Sequence, residues 1–280
     1  MADERMPEDM IAWMTDRNWG PHHDQWHFER RWDFWHARAA RGAPEDVGVQ
    51  AYIDSKVALG YGRSPLQEGE AGNGEDFLFM HRAMLQLLVA NFTQSIHFLR
   101  GWATLPQDNA DMDDPVPPNP AGAPPNPAKD ASHPKMAEAI TRVEARAPEF
   151  PSDEELGLFL QTKMRPVPGD AFRESPDKAA GLHNYLHNRW SDGTSPIDIG
   201  RPLVNTFNQR FWKLHGWIDH QWWRFRRSKG MNDGDAAYQT KLKLYLDMMN
   251  QSGHHHHFDE VLSTTTPSVG RNIFDLDFPS

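Results

Sequence analysis

Residues 205–228 read NTFNQRFWKLHGWIDHQWWRFRRS and carry a strongly periodic pattern. Apolar and aromatic residues recur at intervals of three and four, the spacing that brings side chains onto one face of an α-helix. That face carries Phe211, Leu214, His215, Ile218, Trp222 and Phe225. The pattern therefore predicts a helix over 205–228 with a buried apolar face, and it directs His215 at the core.

A second helix is predicted over residues 177–190, and it contains two histidines four residues apart, His183 and His187. Side chains at this spacing lie on one face of a helix with Cβ atoms about 5–6 Å apart, so two imidazoles can bind one ion. His215 supplies a third imidazole. Three neutral imidazoles suit copper, zinc, iron or nickel and leave a coordination position for a reacting molecule. The alternative is that these are ordinary helix histidines, exposed or hydrogen-bonded.

The N-terminal half contains further histidines. A helix is predicted from about Pro21 to Ala40, after a break at Gly20-Pro21. Its histidines are His22, His23, His27 and His36. The next long helix begins after Asp76, its predicted N-cap, and its apolar stripe includes His81. His81 is therefore expected to point inward.

Prolines divide the chain. Nine of them lie between residues 106 and 134, where they remove backbone donors and prevent a continuous helix. We expect a surface loop at about 104–136 inside a single helical domain over 1–250, followed by an irregular tail, 251–280. Further helices are predicted over 135–146, 153–164 and 234–250. The predicted fold is mainly α, a helical bundle with long irregular loops.

The composition limits the classes of function. The 280 residues contain no Cys, which excludes disulfides, thiolate metal sites and a Cys nucleophile, so any metal has to be held by His or carboxylate. A formal charge of −10 argues against binding to nucleic acid or to an anionic membrane surface. The sequence has neither a signal-peptide pattern nor a run of about 20 apolar residues, so a soluble, cytoplasmic protein is expected.

Three segments resemble, in order, the motifs of the tyrosinase-like, type 3 copper proteins. FWKLHGWID at 211–219 resembles the copper B signature, in which an aromatic pair, a ligand His and an Asp follow one another. HNYLH at 183–187 resembles the HNxxH that precedes it. FLFMHRAML at 77–85 resembles the copper A segment that ends in HR. The resemblance covers about residues 77–226 and implies a tyrosinase-like helical bundle.

The ligand sets that this resemblance implies are complete at one site and incomplete at the other. Copper B would be held by His183, His187 and His215. Copper A would use His81 as its third ligand, but the family's second ligand belongs a few residues before Phe77, where the chain reads EGEAGNGED. The candidates that remain lie far upstream. They are His22, His23, His27 and His36, and one or two of His23, His27 and His36 are expected to complete copper A.

Other positions of the resemblance also bear on mechanism. Glu174 and Asn184 occupy places where the family often has a carboxylate and an amide that hold a water, and such a water could take the phenolic proton. An exposed loop acid is the alternative for Glu174. Asp219, one turn after His215, would orient a ligand or pack helices together. Asn208 and Gln209 replace the usual Asp-Pro, which is expected to change the helix start.

The function implied by the resemblance is that of a copper oxidoreductase. Two coppers, each held by three histidines, would oxidise phenols or catechols with dioxygen, including monooxygenase chemistry. The expected partners are a small phenol or a tyrosine-containing peptide and dioxygen, with no nucleic acid and no membrane. Two alternatives stay open: a catalytically degenerate tyrosinase-like binding or assembly protein, and a mononuclear metalloenzyme that uses three histidines.

Overall fold

The described part of the chain is mainly α-helical. The computed structural model describes residues 4–106, 108–111, 113–119, 126–129, 134–161, 181–250 and 274. Within these ranges there is no β-strand, and Arg5 and Asn208 form an isolated bridge. The α-helices are α1 (Glu8–Asp16), α2 (Trp19–Arg30), α3 (Trp32–Arg41), α4 (Val49–Val57), α5 (Asn73–Asn91), α6 (Ile96–Leu99), α7 (Pro134–Arg146), α8 (Asp153–Gln161), α9 (Leu182–Trp190), α10 (Gln209–Ser228) and α11 (Ala236–Asn250). The predicted mainly-α fold is confirmed.

The helix predicted over Pro21–Ala40 is two helices, α2 and α3, with Arg31 between them. The break expected at Gly20-Pro21 is absent, because Pro21 lies in the first turn of α2, where its missing N–H has no helical partner to lose. Asn18 precedes the helix in the left-handed region, with φ 52°. The histidines of this segment are therefore divided, with His23 and His27 on α2 and His36 on α3.

Helix α5 begins at Asn73, earlier than predicted, and ends at Asn91. Asp76 is not its N-cap, because the Asp76 carboxylate accepts hydrogen bonds from Arg30 and Tyr245. The first turn is satisfied instead by Glu154 of α8, whose carboxylate oxygens accept from the backbone N–H groups of Gly72 and Glu75, both at 2.8 Å. A carboxylate is favourable at this end because it meets the positive pole of the helix dipole.

The long helix predicted beyond Asn91 is interrupted by a 3₁₀ turn before the short α6. Helices α7 to α11 lie where helices were predicted, except that α9 is described from Leu182 and α10 starts at Gln209. Asn208 caps α10, since its side chain accepts from the Arg210 N–H at 2.8 Å. The replacement of Asp-Pro by Asn208 and Gln209 thus leaves α10 with an ordinary N-cap.

The proline-rich segment packs against the helices in its described parts, which differs from the predicted surface loop. Asp114 is buried and accepts hydrogen bonds from Trp102 and Lys213. The Nζ atom of Lys129 donates to the backbone carbonyls of Pro117 and Ser191. These contacts fasten the segment to the C-terminal ends of α6 and α9 and to α10.

A large core forms around α5, which packs against α8, α10 and α11. One cluster of buried side chains extends from Met6 to Met249 and includes six fully buried tryptophans: Trp19, Trp26, Trp190, Trp212, Trp217 and Trp222. A smaller cluster of Phe28, Ile53 and Tyr61 lies between α2 and α4. Within the ranges given above, no helix combines the length and the apolar character needed to span a membrane.

Candidate metal centre

Six histidines from four helices lie close together in the core. His23 and His27 lie on α2, His81 on α5, His183 and His187 on α9, and His215 on α10. All are buried except His27, which is partly exposed. The structure brings together most of the predicted ligands, and they come from both sides of the proline-rich segment.

The six side chains form two trios. In the first trio, His23, His27 and His81 each offer a ring nitrogen within 4.8 Å of the others, and His23 Nε2 lies 3.0 Å from His27 Nε2. In the second trio, His183 Nε2 lies 2.9 Å from His187 Nε2 and 3.1 Å from His215 Nε2. Nitrogens bound tetrahedrally to one ion at about 2.0–2.1 Å are about 3.3 Å apart. These three separations are close to that value, and His183 and His215 also share a group with His81 in which every ligand nitrogen lies within 4.8 Å of the others.

The two trios lie against each other. The rings of His81 and His215 stack with centroids 4.3 Å apart, and those of His27 and His183 stack at 5.7 Å. His81 also offers a nitrogen within 4.8 Å of nitrogens from His183 and His215. Two ions held by these trios would therefore be neighbours in one centre.

Backbone carbonyls determine the tautomer of four of the rings. The Nδ1 atoms of His81 and His215 lie 2.8 Å and 2.7 Å from the carbonyls of Phe77 and Phe211, one turn earlier in the same helix. His23 Nδ1 and His187 Nδ1 lie 3.1 Å and 2.6 Å from the carbonyls of Pro202 and Ile199. A carbonyl can only accept, so Nδ1 carries the proton and Nε2 presents a lone pair to the centre.

Burial keeps these rings neutral. It lowers the pKa of His23 to about 3 and that of His187 to about 4. Burial and the neighbouring imidazoles also lower the pKa of His81, His183 and His215 well below the usual value. Desolvation disfavours the charged form, and several imidazoles in one cavity cannot all be cations. The pKa of His27 is likewise lowered well below the usual value. At neutral pH all six rings are therefore neutral, the protonation state in which an imidazole can bind a metal.

Hydrogen bonds alone do not satisfy this centre. Four rings present Nε2 lone pairs, while the two remaining neutral rings, His27 and His183, have one N–H each to donate. At least two buried lone pairs would be left without a donor, and His81 Nε2 has no hydrogen-bond partner among the described residues. A buried polar group without a hydrogen-bond partner lowers the free energy of unfolding by about 1–3 kcal/mol. Metal ions would satisfy all six nitrogens, so the residues present fit a metal centre.

Some predicted site residues lie elsewhere. His36 belongs to neither trio, because its ring stacks on Trp32 and its Nδ1 contacts the Trp32 carbonyl at 2.9 Å. His97 is exposed. Glu174 falls outside the described residues, so its predicted role stays a prediction. Asn184 lines the pocket beside the centre, and its Nδ2 atom is buried without a hydrogen-bond partner in the described chain.

Asp219 packs helices together and does not contact a ligand imidazole. Its carboxylate accepts from the guanidinium of Arg82, which follows His81, and Arg82 also donates to the Tyr238 hydroxyl at 2.7 Å. The Arg82 and Asp219 side chains are both buried. This pair joins α5 to α10 and so sets the distance between His81 and His215.

A pocket of about 790 Å³ opens above the centre. Its floor contains His27, His183 and His187, one or more ligands from each trio. Its walls come from α2, α3, α4, α9 and the segment 199–205. Ligand pockets commonly have volumes of about 300–1,000 Å³, so this pocket is large enough for a molecule with one aromatic ring beside these histidines.

The carbonyls of Ile199 and Pro202 are functional groups that sequence reasoning did not identify, because a backbone acceptor in a loop has no sequence signal. The His23–His27 spacing, by contrast, was a signal for a ligand pair. Comparisons with protein-family models, curated proteins and solved structures give no match. The chemistry of the centre is therefore inferred from its own ligand atoms and their surroundings.

Proposed function

We propose that this protein is a tyrosinase-like copper oxidoreductase that oxidises phenols or catechols with dioxygen. The observation that carries the proposal is the pair of adjacent imidazole trios, with Nε2 lone pairs directed into one buried centre. Six neutral imidazoles suit a borderline transition metal such as copper. The motifs at 77–85, 183–187 and 211–219 add support, since each contributes ligands to these trios.

The protein residues hold the ligands ready for the metals. The four Nδ1–H groups that donate to carbonyls fix the ring orientations, which preorganises the site and makes the Nε2 atoms better ligands. Phe77 and Phe211 pack on the rings of His81 and His215 with centroids 4.6 Å and 4.0 Å apart. These aromatic contacts exclude water from the inner side of the centre, so that access is from the pocket.

When bound, a copper pair supplies dioxygen binding and two-electron oxidation of the phenol or catechol. The pocket positions the substrate ring over His27, His183 and His187. The Asn184 side chain lines the same pocket, and its amide Nδ2 has no hydrogen-bond partner in the described chain. In the proposed reaction this N–H binds the oxygen of the entering phenol or a water beside it, which assists removal of the phenolic proton.

Two copper ions are favoured over one. The alternatives with fewer than two metals rest on the absence of a histidine just before Phe77, where the family's second copper A ligand lies. His23 and His27 lie beside His81 and supply ligands for a first site from a different segment. A protein with two filled trios matches the requirements of the two-copper reaction better than those of a mononuclear enzyme.

Copper stoichiometry tests the proposal. After loading and removal of loosely bound metal, we expect two coppers per chain and a near-ultraviolet absorption band that depends on oxygen. His183→Ala and His27→Ala should each lower the stoichiometry, since each removes one of three ligands. His36→Ala is the matched control, because His36 belongs to neither trio, and it should retain both ions. A parent protein that binds no copper through these histidines would overturn the proposal.

Catechol oxidation separates the two-copper enzyme from its alternatives. His81→Ala should abolish oxygen consumption with 4-methylcatechol, because the first trio no longer holds its ion. Full activity in His81→Ala would indicate that the second trio acts alone. A parent protein that holds two coppers and oxidises neither phenols nor catechols would indicate a binding function.

A further inference from the structure

The pocket above the centre has a cationic wall in a protein of net negative charge. Its lining contains five basic residues: Arg31, Arg38, Arg41, Lys56 and Arg201. Asp24 is the one carboxylate residue in the same lining. The whole chain carries a formal charge of −10. Basic residues therefore outnumber acidic ones in the pocket lining, which is the reverse of the balance in the whole chain.

The basic residues differ in their partners. Four of them contact carboxylates: Lys56 contacts Asp24, Arg31 contacts Glu68, and Arg38 and Arg41 both contact Asp46. The side chain of Arg201 is exposed and forms no hydrogen bond or ion pair within the described ranges. Arg201 is thus the cation of the pocket that can pair with a ligand without first breaking an internal contact.

The position of Arg201 is set by the metal ligands. The carbonyl of Ile199 accepts from His187, and the carbonyl of Pro202 accepts from His23. Backbone hydrogen bonds from Arg201 N to Asp198 O and from Asn205 N to Arg201 O, at 3.0 Å and 2.9 Å, hold the same turn. Arg201 therefore projects from a turn that is fastened to both trios, at the edge of the pocket.

Aromatic side chains complete the pocket. Phe34, Trp35 and Tyr52 line it together with the segment 199–205. The rings of Trp35 and Tyr52 contact each other with centroids 5.0 Å apart, and that of Trp35 contacts Phe34 at the same distance. An aromatic wall, a metal-ligand floor and a guanidinium at the edge match a molecule with an aromatic ring and an acidic group.

We propose that the substrates of this centre are phenols or catechols that carry an acidic side chain, such as a phenylpropanoate, and that Arg201 binds the carboxylate. The proposal rests on the proposed oxidase function for the reaction, but the binding step itself requires the pocket alone. A guanidinium suits this role because its paired N–H donors match the two oxygens of a carboxylate.

Binding to the metal-free protein tests the acidic preference without catalysis. Calorimetry should show that 3-(4-hydroxyphenyl)propionate binds about tenfold more tightly than neutral 4-ethylphenol, the effect of roughly one charge-assisted hydrogen bond. Tyramine, which carries a positive charge, should bind most weakly. Equal affinities for the three ligands would overturn the proposal.

Substitutions test whether Arg201 is the residue that binds the acidic group. Arg201→Gln should remove most of the acid preference, while Arg201→Lys retains the charge and should keep part of it. Arg146→Gln is the matched control, since Arg146 is an exposed arginine on α7 paired with Glu149 and lies outside the pocket. It should leave the preference unchanged. Circular dichroism verifies that each variant is folded, and an unchanged preference in a folded Arg201→Gln would contradict the assignment.

Kinetics of the copper-loaded protein complete the test and separate the two proposals. The ratio of kcat/KM for 3-(3,4-dihydroxyphenyl)propionate to that for 4-methylcatechol should fall about tenfold in Arg201→Gln. If both catechols are oxidised with the same ratio in parent and variant, the oxidase function stands and the acid preference fails. If neither is oxidised, the oxidase function fails, and calorimetry still decides whether the pocket binds acids.

Discussion

Individual hydrogen bonds prepare the histidines of this centre. Each Nδ1–H that donates to a carbonyl makes the Nε2 of the same ring an acceptor, and burial keeps the ring neutral. His187 shows both effects, with Nδ1 at 2.6 Å from Ile199 O and a pKa lowered to about 4. Contacts of single residues therefore preorganise the centre. The same burial of neutral rings reduces the stability of the metal-free protein at acidic pH.

The lowered pKa values of the buried histidines predict that the free energy of unfolding depends on pH. A buried His with a lowered pKa binds no proton in the folded state, while the unfolded chain takes one up below about pH 6.5. Stability of the metal-free protein should thus fall as the pH drops from 7 to 5, with about 2 kcal/mol from His187 alone. Urea unfolding at several pH values measures this slope.

Two variants assign the slope to the centre. His187→Asn should reduce it, because one of the lowered pKa values is removed. His97→Gln replaces an exposed histidine and should leave the slope unchanged. A free energy of unfolding that is constant between pH 7 and 5 would contradict the assigned burial of neutral imidazoles.

At the scale of elements, the start of α2 and the turn at 199–204 form one unit. A Cβ atom on Gly20 would lie 2.2 Å from the carbonyl oxygen of Leu203, so this backbone approach requires glycine. The approach brings Pro202 O to His23 Nδ1. Gly20 therefore supports the position of the His23 ring through the backbone approach of this turn.

Substitution of Gly20 tests this link. Gly20→Ala should push the turn away from α2, weaken the His23 contact and lower copper affinity, with a loss of stability of about 1–3 kcal/mol from the backbone clash. Gly193→Ala is the control, since a Cβ there has no neighbour within 4 Å. Metal titration and thermal unfolding of both variants give the comparison. Equal affinity in the two variants would show that the turn does not orient His23.

At the scale of the whole molecule, the centre joins distant parts of the chain. The two trios draw on α2, α5, α9 and α10, and the core around them extends from Met6 to Met249. A metal that binds the folded chain and not the unfolded one stabilises the fold by mass action. Metal ions bound at the two trios would therefore stabilise the whole fold.

Thermal unfolding measures this coupling. With free copper at about 1,000 times Kd, each bound ion stabilises the fold by about 4 kcal/mol, which corresponds to a rise in Tm of roughly 7 °C per ion. His81→Ala should show a smaller rise, because its first trio is incomplete. A chelator should reverse the rise in the parent protein. A Tm that is the same with and without copper would contradict metal binding at this centre.

Local patterns in the sequence were sufficient to predict several features of the helices and their histidines. The periodicity of 205–228 predicted most of α10 and the inward direction of His215, and the four-residue spacing predicted that His183 and His187 share a face. The stripe of α5 likewise predicted that His81 is buried. These features depend on residues within one or two helical turns of each other, so the sequence determines them by itself.

The tertiary structure decided which distant segments meet. It brought His23 and His27 to His81 across more than 50 positions, left His36 on a separate helix, and supplied the carbonyls of the 199–202 turn. It also gathered the basic side chains of α3, α4 and Arg201 at one pocket. Such contacts arise from the packing of whole helices and from close backbone approach, and neither leaves a pattern in neighbouring residues.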